Sequence, residues 1–341
     1  MNPENGAQYA AMDVVGHVIL KCELQLSNYN YNKFRNDTME DNNIKREYDH
    51  VIDEIEFDNI RESLSRCNLS KISNSHYAIH EFKLLPTIII KNQTDFLSKT
   101  AFLVYHYEIY DRAHQSLIEA LSGHYNSAYT LLRNTFELII NSAFWECLAH
   151  KKYRNRLKAE TRGNNKTLRG IIEDKIQEGS GMIIKLELLS ASVYDIIDEA
   201  EKSKKEFYTP HFKGKIDQLV EWNIFSPWNK EKAKNVLYNE IYDILSKNVH
   251  VRLPYIDIGR RILNEGEIFE TKIVPSELDD YLNFLHKIMD ISICLELNIL
   301  KNLIINNLEV KNELKDKIET LHDLNLDFAT NTMEFLTEPI T

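Results

Sequence analysis

The distribution of apolar residues along the chain has the period of helices almost throughout. Residues 124–153 run without Gly or Pro and are apolar nearly all round, with Leu131, Leu132, Phe136, Leu138, Ile139, Ile140, Ala143, Phe144, Trp145 and Leu148. A helix of that kind buries most of its surface. Residues 92–121 predict a long helix before it, and Ser122-Gly123 stops that helix, so the two should form an antiparallel hairpin. Further helices are predicted over 8–35, within 44–66, and over 165–178, 182–206, 212–222 and 229–250. From 276 to 338 there is again no Gly or Pro. That stretch predicts one long helix to about 308, opened by a Ser276 cap, and a shorter helix after it. Two pieces break the pattern. HEFKLLPTIII around Pro86 reads as a short strand or an extended lead-in. Residues 251–275 hold Pro254, Gly259, Gly266 and Pro275, and predict a small irregular or hairpin insertion.

Composition agrees with the pattern. Gly (10) and Pro (7) together are about 5% of 341 residues, against roughly 12% in ordinary proteins. A chain so poor in turn residues is not a sandwich, a propeller or a Gly-rich nucleotide-binding sheet. The fold class is therefore all-α. The organisation expected is an N-terminal helical or irregular extension over 1–90, a helical-bundle domain over 91–308, and a C-terminal helical tail over 309–341. Cys22, Cys67, Cys147 and Cys294 are far apart and form no paired motif, so reduced thiols and a cytoplasmic location are expected. No segment has the length of a membrane span, and no membrane partner is expected. An apolar, turn-poor helical body commonly completes its core by pairing, so a homodimer is expected.

Charge changes the picture locally. The net charge is −11, and residues 1–62 carry 13 acidic against 6 basic side chains, which disfavours broad binding to nucleic acid. Residues 150–170 run the other way. They hold Lys151, Lys152, Arg154, Arg156, Lys158, Arg162, Lys166 and Arg169 against Glu160 alone, and Lys202, Lys204, Lys205, Lys213 and Lys215 extend the tendency. The run is either a solvated helix end or a phosphate contact, with Tyr153 as its aromatic for stacking.

Two helical stretches could carry chemistry. On 124–153, Arg133, Glu137 and Asn141 fall at i, i+4 and i+8, with Asn126 and Thr130 continuing the line. This polar stripe is either the solvent side of the helix, an interhelical tie, or the wall of a cleft. On 229–250, Tyr242, Ser246 and His250 share one side, and His250 lies at the helix C-terminus. It is a C-terminal cap or a group for proton transfer. His76-x-x-x-His80-Glu81 would place two imidazoles on one helical face, but no third ligand stands at a known spacing, and no metal is expected. There is no Walker-type loop, G-x-G-x-x-G, G-x-S-x-G or HExxH, and no cofactor is expected.

The pairing of A-x-x-L-L-R-x-x-x-E with Y-x-x-x-S-x-x-x-H about a hundred residues later is carried here by Ala128, Leu131, Leu132, Arg133 and Glu137, then Tyr242, Ser246 and His250. Over roughly 95–300 this resembles a family of microbial helical proteins distantly similar to the HEPN superfamily and to AbiV-type abortive-infection proteins. The resemblance implies a HEPN-like bundle, often dimeric, in which Arg and His meet across a cleft. Active HEPN members are metal-independent endoribonucleases with an Arg-x(4–6)-His motif. Here Asp243, Ile244 and Leu245 stand where that Arg would precede His250, and no other histidine has it. The functional expectation is therefore an RNA- or nucleotide-binding protein of a defence or stress system. Arg133 would take the phosphate and Glu137 would orient it. The alternatives are a ribonuclease using His250 and Arg133, with Ser246 or Tyr242 orienting the imidazole, and a non-catalytic structural protein.

Overall fold

The computed structural model describes residues 57–90, 101–149, 153, 156, 211–249 and 273–338. The helices expected over 8–35, 165–178 and 182–206 and all but the last three residues of the insertion expected at 251–275 lie outside these residues. Among the described residues the chain is helical, with no strand. In order the elements are α1 (Phe57–Arg66), α2 (Leu69–Ile90), α3 (Ala101–Leu121), α4 (Tyr125–Ala149) and α5 (Phe212–Glu221). They continue with α6 (Lys230–Asn235), the π-helix π1 (Val236–Tyr242), α7 (Asp243–Val249), α8 (Pro275–Ile299), α9 (Lys301–Ile305), α10 (Leu308–Asp323) and α11 (Asp327–Thr337). None of these helices is long and apolar enough to cross a membrane.

The α3–α4 hairpin forms as its sequence predicts. Gly123 takes a φ of 86°, and His124 N–H donates to Glu119 O at 2.9 Å while Gly123 N–H donates to Ala120 O at 3.1 Å. This closes α3 with the left-handed cap that glycine permits. Asn223 after α5 and Asn325 after α10 (both φ 59°) do the same for their helices, the second with Leu326 N–H on Leu321 O. Asparagine is among the few side chains that tolerate this conformation.

The middle of the molecule is α8, on which every residue from Ile288 to Asn298 is buried. It packs against α2, α3, α4 and α11, and one continuous core runs from Ile72 of α2 through Phe136 and Phe144 of α4 to Leu336 of α11. A helix enclosed on all sides needs no polar stripe. The start of α8 is pinned by Tyr125, whose hydroxyl accepts from Val274 N–H at 3.1 Å and donates to Val274 O at 3.2 Å. Tyr281 donates its hydroxyl to Ser116 Oγ at 2.6 Å, tying α8 to α3.

Four expectations are corrected. HEFKLLPTIII is helical and belongs to α2, with Pro86 inside it. Proline removes one backbone bond from the helix, but Leu85, Ile88, Ile89 and Ile90 are buried in the core, and that burial holds the turn. The helix expected over 229–250 is three elements. Asn229 caps α6 by accepting from Lys232 N–H at 2.8 Å, and the chain then widens into π1. The buried positions Leu237, Ile241 and Leu245 recur every four residues, slightly wider than a 3.6-residue turn, and the wider π turns bring them into line. The helix expected to run to 308 ends at Ile299, because Leu300 leaves helical geometry (φ −88°, ψ 6°) while staying buried. Finally, Ser276 is not the cap: Val274 holds that position and Pro275 is the first helical residue, where its missing N–H costs nothing.

Candidate functional site

The polar stripe of α4 begins in solvent and ends under other helices. Asn126 and Thr130 are exposed, and Thr130 bonds back to Asn126 O. Arg133 and Glu137 sit one and two turns further on, half covered, with Arg133 Nε donating to Glu137 Oε1 at 2.9 Å. At Asn141 the stripe meets α5, whose Lys215 donates Nζ to Asn141 Oδ1 at 2.7 Å. The Lys215 ammonium also lies 5.7 Å from the Phe144 and Trp145 rings. Its charge is thus held against aromatic faces, an arrangement favourable by about 0.5–1 kcal/mol in partly wet settings.

Beside the stripe, α5 and π1 build an aromatic shelf. Phe212 stacks on Tyr242 (5.0 Å between centroids, 27° between planes) and meets Phe136 edge-on at 5.7 Å. The Arg133 guanidinium carbon is 5.8 Å from the Tyr242 ring centre, and Lys213 Nζ is 5.2 Å from the same ring and 5.6 Å from Tyr238. Lys213 also reaches Asp243 Oδ1 at 3.4 Å and is more than half exposed. Tyr238 donates its hydroxyl to the Lys213 carbonyl, which fixes the backbone that carries the lysine. Burial, with Asp217 next in weight, pushes the Tyr238 phenol well above its ordinary pKa, so it stays a neutral donor. Single-turn π segments concentrate at functional sites, and here the π-helix carries both tyrosines onto the cationic shelf.

The structure brings Arg133, Glu137 and Tyr242 together and adds Phe212 and Tyr238. Phe212 falls on the i, i+4, i+7 apolar line with Ile216 and Leu219, a signal that marks a core face and not a site. Tyr238 and Tyr242 stand four apart, a signal that a same-face reading of 229–250 offers. Ser246 does not join them: its hydroxyl is buried with no hydrogen-bond partner among the described residues. His250 lies outside the described residues, as do Lys151, Lys152, Arg154, Lys158 and Arg162. Arg156 is described, and its guanidinium donates to Glu221 O at 2.6 Å while its own carbonyl accepts from Gln218 Nε2 at 3.3 Å. It ties its segment to the C-terminus of α5, where a cation is favoured. Tyr153 is corrected as a stacking aromatic. It is 8% exposed and packs 5.6 Å from Trp222, and burial raises its phenol to about 12.

Among the described residues no three His, Cys, Asp or Glu side chains converge as a metal centre. The described cysteines Cys67, Cys147 and Cys294 form no disulfide. No family model, curated protein or solved structure matches this chain.

Proposed function

We propose that the chain binds a single-stranded nucleic acid or a nucleotide on the face formed by α4, α5 and π1, in a defence or stress role of the kind the HEPN-like resemblance implies. The supporting observation is that Arg133 and Lys213, cations from two helices, both lie over the Tyr242 ring, which stacks on Phe212, with Lys215 two residues further along α5. Phosphate is recognised by such cations and rings offer sequence-tolerant contact to bases. Glu137 holds Arg133 by its Nε, leaving the terminal guanidinium nitrogens to face a phosphate.

The test is fluorescence anisotropy of a labelled single-stranded RNA, with ATP as competitor, on the full chain and on Lys213→Glu and Arg133→Ala. Binding that weakens with salt and falls about tenfold or more in Lys213→Glu supports the reading. Equal binding by all three proteins removes it. The same RNA incubated in EDTA beside His250→Ala tests the endoribonuclease alternative, in which His250 would move the proton and Arg133 would stabilise the charged phosphate. A non-catalytic structural role draws on the Arg133–Glu137 pair being satisfied within α4. It predicts that Arg133→Ala lowers stability and changes no binding. The homodimer belongs to the same proposal, and light scattering on the eluting protein measures it.

A further inference from the structure

A second cluster lies away from this face, between α2 and α3. His76 and His80 are one turn apart on α2, and their Nε2 atoms stand 3.1 Å from each other. The rings are nearly perpendicular (85°) with centroids 4.5 Å apart. Two nitrogens at that separation, each about 2.05 Å from one ion, subtend an angle of about 98°, between the right angle of a cis pair and the tetrahedral value. Around them α3 supplies His114, whose ring is 5.7 Å from His76, and Tyr110, which stacks on His114 at 6.1 Å. Glu81, next to His80, is turned away and held by Lys317 at 3.0 Å through both oxygens. Lys83 lies over the Tyr110 ring at 4.5 Å, outside the pair.

We propose that His76 and His80 form a two-imidazole clip for one divalent first-row transition ion that prefers nitrogen ligands, such as Ni2+, Cu2+ or Zn2+, with water in the remaining positions. Without metal the two Nε2 atoms already stand 3.1 Å apart, so little ordering is left for binding to impose. An ion between them needs both Nε2 lone pairs, so each coordinating ring carries its proton on Nδ1. His76 is 6% exposed while His80 is half-buried, so the ion enters from the His80 side. The helix repeat makes the geometry rigid, since residues four apart on a helix are neighbours on one face.

The experiment is calorimetric titration of chelator-stripped full-length chain with NiCl2, on wild type, His80→Ala and His114→Ala, with circular dichroism in EDTA to establish that each variant is folded. The wild type takes up one Ni2+ that His80→Ala binds about tenfold or more weakly, and His114→Ala keeps its affinity within about twofold. Wild-type binding weakens as pH falls below about 6.5, when imidazole protonation competes. Equal Ni2+ affinity in wild type and His80→Ala overturns the proposal, as does loss of binding in His114→Ala alone. Should His80→Ala unfold, the Ni2+-induced rise in melting temperature of His80→Gln against wild type decides it, with equal rises counting against the clip.

Discussion

Asp290 sits in the middle of α8, 5% exposed, and its carboxylate does work for a different helix. Oδ2 accepts from Phe328 N–H at 3.0 Å and Oδ1 from Ala329 N–H at 2.7 Å, at the start of α11, where Leu326 provides no side-chain cap. Two influences compete. Burial penalises the anion, and the two N–H bonds with nearby Lys287 favour it, yet burial is the larger and the pKa rises from 3.8 to about 7. The unfolded chain releases this proton near pH 4 while the native protein keeps it to about 7. The native state therefore binds more protons across that window, and stability falls as pH rises through it. About three pH units at roughly 1.4 kcal/mol each place the loss at about 4 kcal/mol. The Asp290→Asn protein keeps one acceptor oxygen and forfeits the other, which costs about 1 kcal/mol near pH 4. It does not titrate, so by about pH 8 it should be the more stable protein, by roughly 3 kcal/mol. Urea denaturation of both proteins across this range gives the difference free of every other titrating group. If that difference instead moves in favour of Asp290 as pH rises, the capping bonds outweigh burial and the reasoning is wrong.

Further predictions rest on other buried contacts. His106 and Glu296 are 1% and 0% exposed and face each other at 3.4 Å (Nδ1 to Oε1). Nε2 of His106 lies 3.4 Å from the Lys83 carbonyl, so the ring stands between α2 and Glu296 of α8. His106→Ala leaves Glu296 buried without its partner and should cost about 3–5 kcal/mol, measured by urea denaturation. Adding Glu296→Gln should recover part of it, and strictly additive losses would refute the coupling. Asn307 caps α10 by accepting from Glu309 N–H at 3.0 Å and Val310 N–H at 3.3 Å. Asn307→Ala should lower stability by about 1 kcal/mol in the same assay, and no change would show the cap to be replaced by water.

The helical character of the chain, the α3–α4 hairpin and the Arg133–Glu137 pair were legible because they depend on local quantities. Helix hydrogen bonds reach four residues, so Gly123 and the apolar runs around it suffice to specify a turn between two helices. The stripe through Arg133, Glu137 and Asn141 follows from the same period. Elsewhere local signals pointed the wrong way. The segment around Pro86 read as a strand or an extended lead-in, and the Gly- and Pro-free run beyond 276 looked continuous to about 308. In both places the deciding term was burial against distant residues: Ile88 to Ile90 held α2 together past its proline, and buried Leu300 bent the chain away from α8.

What the sequence determined by itself is therefore the kind of structure and one face of one helix. The tertiary structure alone decided that α8 is the enclosed helix, that π1 widens its turns, and that Asp290 caps α11 across 38 residues. It also decided that Phe212, Lys213 and Lys215 meet a stripe more than seventy residues away. None of these is encoded in a period. Each is the arrangement in which helices with several possible apolar faces bury them together while most enclosed polar groups still find partners, and that condition is imposed by the assembled core.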